Sequence, residues 1–93
     1  MVIGLCTVEL YFPDSQSLKA KRQILSSVKA RLHGKFNVSV AEVDDQDLWQ
    51  SAVLGIACVA NETGRVNQVL DQVLNTIQSN PILELRRSRI ELL

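Results

Sequence analysis

The apolar residues of this chain switch repeatedly between a period of two and a period near 3.6, and that succession dictates the order of its elements. From Val2 to Phe12 one set (Val2, Cys6, Val8, Leu10, Phe12) alternates with a more mixed set (Ile3, Leu5, Thr7, Glu9, Tyr11), as in a strand. Pro13 and Asp14 punctuate it, and Ser15 or Ser17 is placed to cap the next helix. Leu18, Ile24, Leu25, Val28 and Leu32 then recur at spacings that a helix gathers into one stripe, which Gly34 is expected to end.

Phe36, Val38 and Val40 return to alternation, and the phase slips at Ala41 and Val43, predicting a strand with a bulge. Asp44, Asp45, Gln46 and Asp47 read as a turn. Ala52 to Ala60 is apolar on both alternating sets, the pattern of an interior strand. Val66, Val69, Leu70, Val73, Leu74 and Ile77 form the clearest helical stripe, stopped by Asn80 and Pro81. Ile82 to Leu93, with Arg86, Arg87 and Arg89, predicts an edge strand.

The order βαββαβ buries all of these faces if both helices cover one side of a four-stranded antiparallel sheet. The expected fold is therefore an α+β, ferredoxin-like sandwich with strand order 4-1-3-2, as a single domain over residues 1–93. At that length roughly 60 to 65% of the unfolded surface is buried, enough for one core without disulfides. Cys6 and Cys58 stand alone within apolar segments and belong to no C-x-x-C pair, so they read as small buried hydrophobes in a reducing cytoplasm. No run approaches the roughly 18 apolar residues of a membrane helix, and the first residues lack the layout of a signal peptide.

A net charge of zero conceals a bipolar distribution. Between Ser15 and Ala41 there are six basic residues (Lys19, Lys21, Arg22, Lys29, Arg31, Lys35) and no acidic one; between Glu42 and Gly64 there are five acidic residues and no basic one. Lys19, Arg22, Ser26, Lys29 and His33 share a helical stripe beside the apolar one, and cations without acidic neighbours attract a phosphate backbone independently of its sequence. The competing reading is a solvated helix face balanced by the acidic turn. Lys21 differs, because helical spacing sets it on the apolar stripe, from which it either snorkels over the sheet edge or meets a partner. The basic set as a whole is the candidate nucleic-acid site.

Two segments, SLKAKR at Ser17 to Arg22 and FNVSVAEV at Phe36 to Val43 followed by DDQDLW, resemble the YlxP-like bacterial family, a domain of unknown function. The resemblance runs nearly end to end. It implies a ferredoxin-like domain of the kind commonly encoded beside transcription, translation and ribosome-maturation genes, and it brings no catalytic residue, cofactor or substrate.

Other chemistry is poorly supported. Glu42, Asp44, Asp45 and Asp47 lack the glycine and closing glutamate of a calcium loop, and His33, the sole histidine, has no nucleophile pattern around it. No metal or cofactor is expected. The third strand offers no aromatic residue for stacking bases, so the sheet-borne mode of RNA recognition is disfavoured. The expected function is a non-enzymatic module that engages RNA or a ribonucleoprotein such as the ribosome through its first helix. The alternatives are a protein-interaction or homo-oligomerisation domain, in which the outer sheet face (Leu5, Thr7, Tyr11, Val53) meets a copy of itself, and a small-molecule regulatory module.

Overall fold

Six elements follow one another in the order the periodicities predict: β1 (Val2–Tyr11), α1 (Leu18–Lys35), β2 (Ser39–Asp44), β3 (Ser51–Ala60), α2 (Thr63–Gln78) and β4 (Glu84–Leu92). They are seen in a computed structural model that describes residues 1–93. The strands form one antiparallel sheet in the order β2-β3-β1-β4, the expected 4-1-3-2 order read from the other edge. The fold is ferredoxin-like.

The sheet centre is where sequence dictates most strongly. β1 and β3 pair along their full length, from Val2 opposite Ala60 to Tyr11 opposite Ser51. Cys6, Val8, Leu10 and Phe12 from the first segment and Ala52, Leu54, Ile56 and Cys58 from β3 all point into the core, as their alternation requires. Above them α2 lays Val66, Val69, Leu70, Val73 and Ile77, and α1 adds Leu25, Val28 and Leu32. Gly4 permits the closest approach: a Cβ there would overlap the Val66 Cγ1 methyl and come within 2.9 Å of Leu70 Cδ1.

Boundaries depart from expectation at several places, each for a local reason. Gly34 does not end α1; no glycine in the chain has positive φ, and the helix runs on to Lys35 before Phe36 turns extended while donating its N–H to the Leu32 carbonyl at 2.8 Å. β2 starts at Ser39 instead of Phe36, because pairing with β3 begins at Ser39 opposite Ala57 and the preceding Phe36 and Val38 pack into the core from outside the sheet. Its bulge falls within the stretch where the phase slips: Glu42 faces Leu54 and Asp44 faces Val53, leaving Val43 as the extra residue. Thr63 and Gly64, ahead of the apolar stripe, are already helical, with Glu62 in the cap position but making no side-chain cap bond.

β4 is the expected edge strand, and its register slips between Glu9 and Leu10 of β1. Neither helix is long and apolar enough to cross a membrane.

Candidate functional site on helix α1 and the turn it supports

Ser17 begins α1 by accepting the Ala20 N–H on its Oγ at 3.0 Å, while the Ser15 hydroxyl donates to the Ser17 carbonyl at 3.2 Å. The first turn contains no acidic residue and the last holds His33 and Lys35, so the helix is positive from end to end. Cations in the last turn are favoured by the carbonyl end of the helix dipole. Those in the first turn are not, and each of them needs another reason to be there.

For Lys21 the reason is structural, and it corrects the expectation that this residue snorkels or offers its charge to a partner. The side chain is completely buried. Its ammonium donates to Glu42 Oε2 at 3.0 Å and to the carbonyls of Asp45 at 2.8 Å, Ser51 at 3.1 Å and Gln46 at 3.3 Å. Three protons thus serve four acceptors, all of them on the end of β2, the turn, or the start of β3. A snorkelling lysine needs an open rim, and here the β2–β3 turn closes over that end of the helix. Lys21 therefore leaves the set of residues able to meet a polyanion.

The turn is shaped to suit. Asp45 has φ of 62°, the left-handed region that aspartate tolerates better than most side chains, and its own N–H is accepted by Asp44 Oδ1 at 2.8 Å. The acidic segment thus engages α1, yet through backbone carbonyls and Glu42, with Asp44, Asp45 and Asp47 carboxylates forming no ion pair. The same turn carries Leu48 and Trp49 on its surface, each at least half exposed. No three His, Cys, Asp or Glu side chains converge anywhere on a possible metal position.

The remaining cations of α1 keep their charge for solvent. Lys19, Arg22, Arg31 and Lys35 are exposed, Lys29 is half-buried, and none of the five is ion-paired. At about 100° per residue, Lys19, Arg22 and Lys29 line one flank of the helix together with Ser26 and His33. Arg31 and Lys35 fall on the other flank, about 180° from Arg22 in the case of Arg31. Lys35 also lines a cleft of about 250 Å³ whose wall includes Arg65 of α2. The predicted basic set is thus divided three ways: a row of three, a pair across the helix, and one buried lysine.

The sheet carries no comparable site. Tyr11 is the one aromatic side chain of the two central strands, and Arg86 from β4 lies over its ring at 4.1 Å. Cys6 and Cys58 are both buried free thiols, and burial, with a smaller contribution from Asp71, pushes the Cys6 thiol up to about 11.

A profile of the family described as "Protein of unknown function (DUF503)" matches residues 3–90. The chain belongs to the DUF503 family. Within it, the uncharacterized protein YlxP of Bacillus subtilis (strain 168) is 38% identical over 90 residues, covering 97% of this chain and 98% of the relative. Among solved structures, the de novo designed protein Foldit4 superposes with a TM-score of 0.56 over 100% of this chain and 97% of its own at 9% identity, a likeness of fold alone. DUF503 membership agrees with the resemblance carried by the SLKAKR and FNVSVAEV segments.

What sequence reading missed is the job of SLKAKR and FNVSVAEVDDQDLW in this DUF503 chain. Lys21 of the first segment is bonded to Glu42, Asp45 and Gln46 of the second. One signal was present: a lone lysine on an apolar stripe, followed by an acidic residue at the end of the next strand.

Proposed function

We propose that this protein is a non-enzymatic binding module that engages RNA, free or within a ribonucleoprotein, through the Lys19, Arg22 and Lys29 flank of α1. The observation that carries the reading is the absence of any ion pair on the five accessible cations of a helix that itself contains no acidic residue. The competing reading, in which the acidic turn neutralises this face, loses support because Glu42 pairs with Lys21 alone. Contact of this kind reads backbone and shape, since the row offers point charges and no base-stacking side chain.

Binding to structured RNA is measured by filter retention or anisotropy across a salt series. Three phosphate contacts give a log–log salt slope of about −2 to −3. Replacing Lys19, Arg22 and Lys29 together by Glu abolishes retention, and replacing Arg31 and Lys35 by Glu weakens it less. RNA binding that ignores both the salt and the triple replacement would refute the proposal, as would the absence of any RNA on protein recovered from cells without nuclease treatment.

A further inference from the structure

The sheet face turned away from the helices is uncovered, and its two central strands are unlike. β1 presents Ile3, Leu5 and Thr7, whereas β3 presents Val59, Ala57 and Gly55 in the adjacent positions. Leu5 stands opposite Ala57 and Thr7 opposite Gly55, so large side chains line one strand and a trough of small ones the next. A shallow depression of about 370 Å³ lies there, bounded by Leu5, Ala41, Val43, Gly55 and Ala57. Gly55 keeps its floor low: a Cβ there would sit 3.1 Å from the Val43 Cγ1 methyl, and Val43 is itself half exposed.

Charge on this face is separated as well. Asp44 on β2 and Arg87 and Arg89 on β4 stand on opposite sides of a second depression, with Glu9 and Val53 between them. The arginines reach Glu9 and Glu91 only through exposed contacts, at 3.5 and 3.0 Å, and Asp44 has no cationic partner.

We propose that two copies of this chain pack face to face through these open sheets, about a two-fold axis that runs along the strands between β1 and β3. That rotation exchanges β1 with β3 and β2 with β4. Leu5 of one copy then falls on Ala57 of the other, Thr7 on Gly55 and Ile3 on Val59, so each large side chain meets a small or apolar one. The same rotation carries Asp44 of one copy towards Arg87 of the other. A two-fold across the strands would instead lay each strand on its own counterpart, leaving Asp44 over β2 of the other copy and away from Arg87 and Arg89 of β4. Aligned sheets pack about 10 Å apart at roughly 30°, a geometry that tolerates this strand-on-strand match.

Four strands about 4.8 Å apart and central strands of some ten residues bury on the order of 600 Å² per copy, near the lower limit of specific interfaces. The dimer is therefore concentration-dependent. Both α1 helices stay on its outer surfaces, so the proposal is independent of RNA binding.

Sedimentation velocity and light scattering from about 1 μM to about 1 mM decide it. The expected mass rises from 10.4 kDa towards twice that value. Ala57→Arg, with Thr7→Arg as a second variant in case the first disturbs folding, holds the chain monomeric while its circular dichroism and melting remain those of the parent. Asp44→Arg weakens the dimer roughly tenfold, and adding Arg87→Asp and Arg89→Asp restores it by exchanging the charges. A parent chain that stays monomeric throughout, or a dimer that survives both arginine variants, overturns the proposal. Failure of the charge exchange to restore association overturns the strand-parallel axis.

Discussion

Lys21 and Glu42 form a 3.0 Å ion pair in which the lysine has no access to water and the carboxylate has only a little. The pair joins the first turn of α1 to the end of β2, and three backbone carbonyls complete the lysine's coordination. Removing one member of such a pair leaves the other desolvated and unmatched. Lys21→Met keeps most of the volume but strands Glu42 and three carbonyls, and should destabilise the fold by about 3 to 5 kcal/mol. Glu42→Gln keeps an acceptor and should cost only about 1 to 2 kcal/mol. Urea denaturation of both variants checks the order. Equal losses would mean that the carbonyls contribute nothing.

Gly4 and Gly55 should respond oppositely to alanine. At Gly4 the added methyl meets Val66 and Leu70 of α2, both fully buried, so the helix must lift from the sheet, at about 1 to 3 kcal/mol. At Gly55 it meets only Val43, which is half exposed and free to turn aside. Losing a strand-interior glycine should then leave stability unchanged or raised by up to about 1 kcal/mol. Melting of the two variants in dilute solution tests the contrast, and Gly4→Ala combined with Val66→Ala should recover part of the Gly4→Ala loss because the two sites share one contact.

These two cases mark how far the residues alone foretell the structure. Alternation in Val2 to Phe12 and Ala52 to Ala60 is a local property, and burial of one face per strand makes it binding on the fold. The stripe Val66 to Ile77 is legible for the same reason. Gly4 has no local pattern to announce it, since its constraint comes from a helix more than sixty residues away. Lys21 was visible as an anomaly but not as a solution, because its acceptors are mostly backbone carbonyls whose direction depends on the left-handed turn at Asp45. The cations of α1 were countable from the start, whereas their lack of ion-pair partners is a matter of three-dimensional neighbours.

The Cys6 thiol supplies an alkaline limit to stability. It is fully buried beside the core of α2, and desolvation chiefly, then the Asp71 charge, pushes it up to about 11 from its ordinary value of 9.0. The folded state therefore holds this proton more tightly than the unfolded chain does. Below pH 9 both states are protonated and the thiol's contribution is fully present; above it the unfolded chain ionises first, and the contribution is lost as pH rises towards 11. A two-unit difference corresponds to about 2 to 3 kcal/mol across that window. Cys6→Ala should flatten the alkaline slope of the unfolding free energy, at a cost at neutral pH set by the small volume removed. The native thiol should react with a disulfide reagent only as fast as the chain opens. Rapid modification of Cys6 in the folded protein, or an alkaline slope unchanged in Cys6→Ala, would show that the thiol is not held this way.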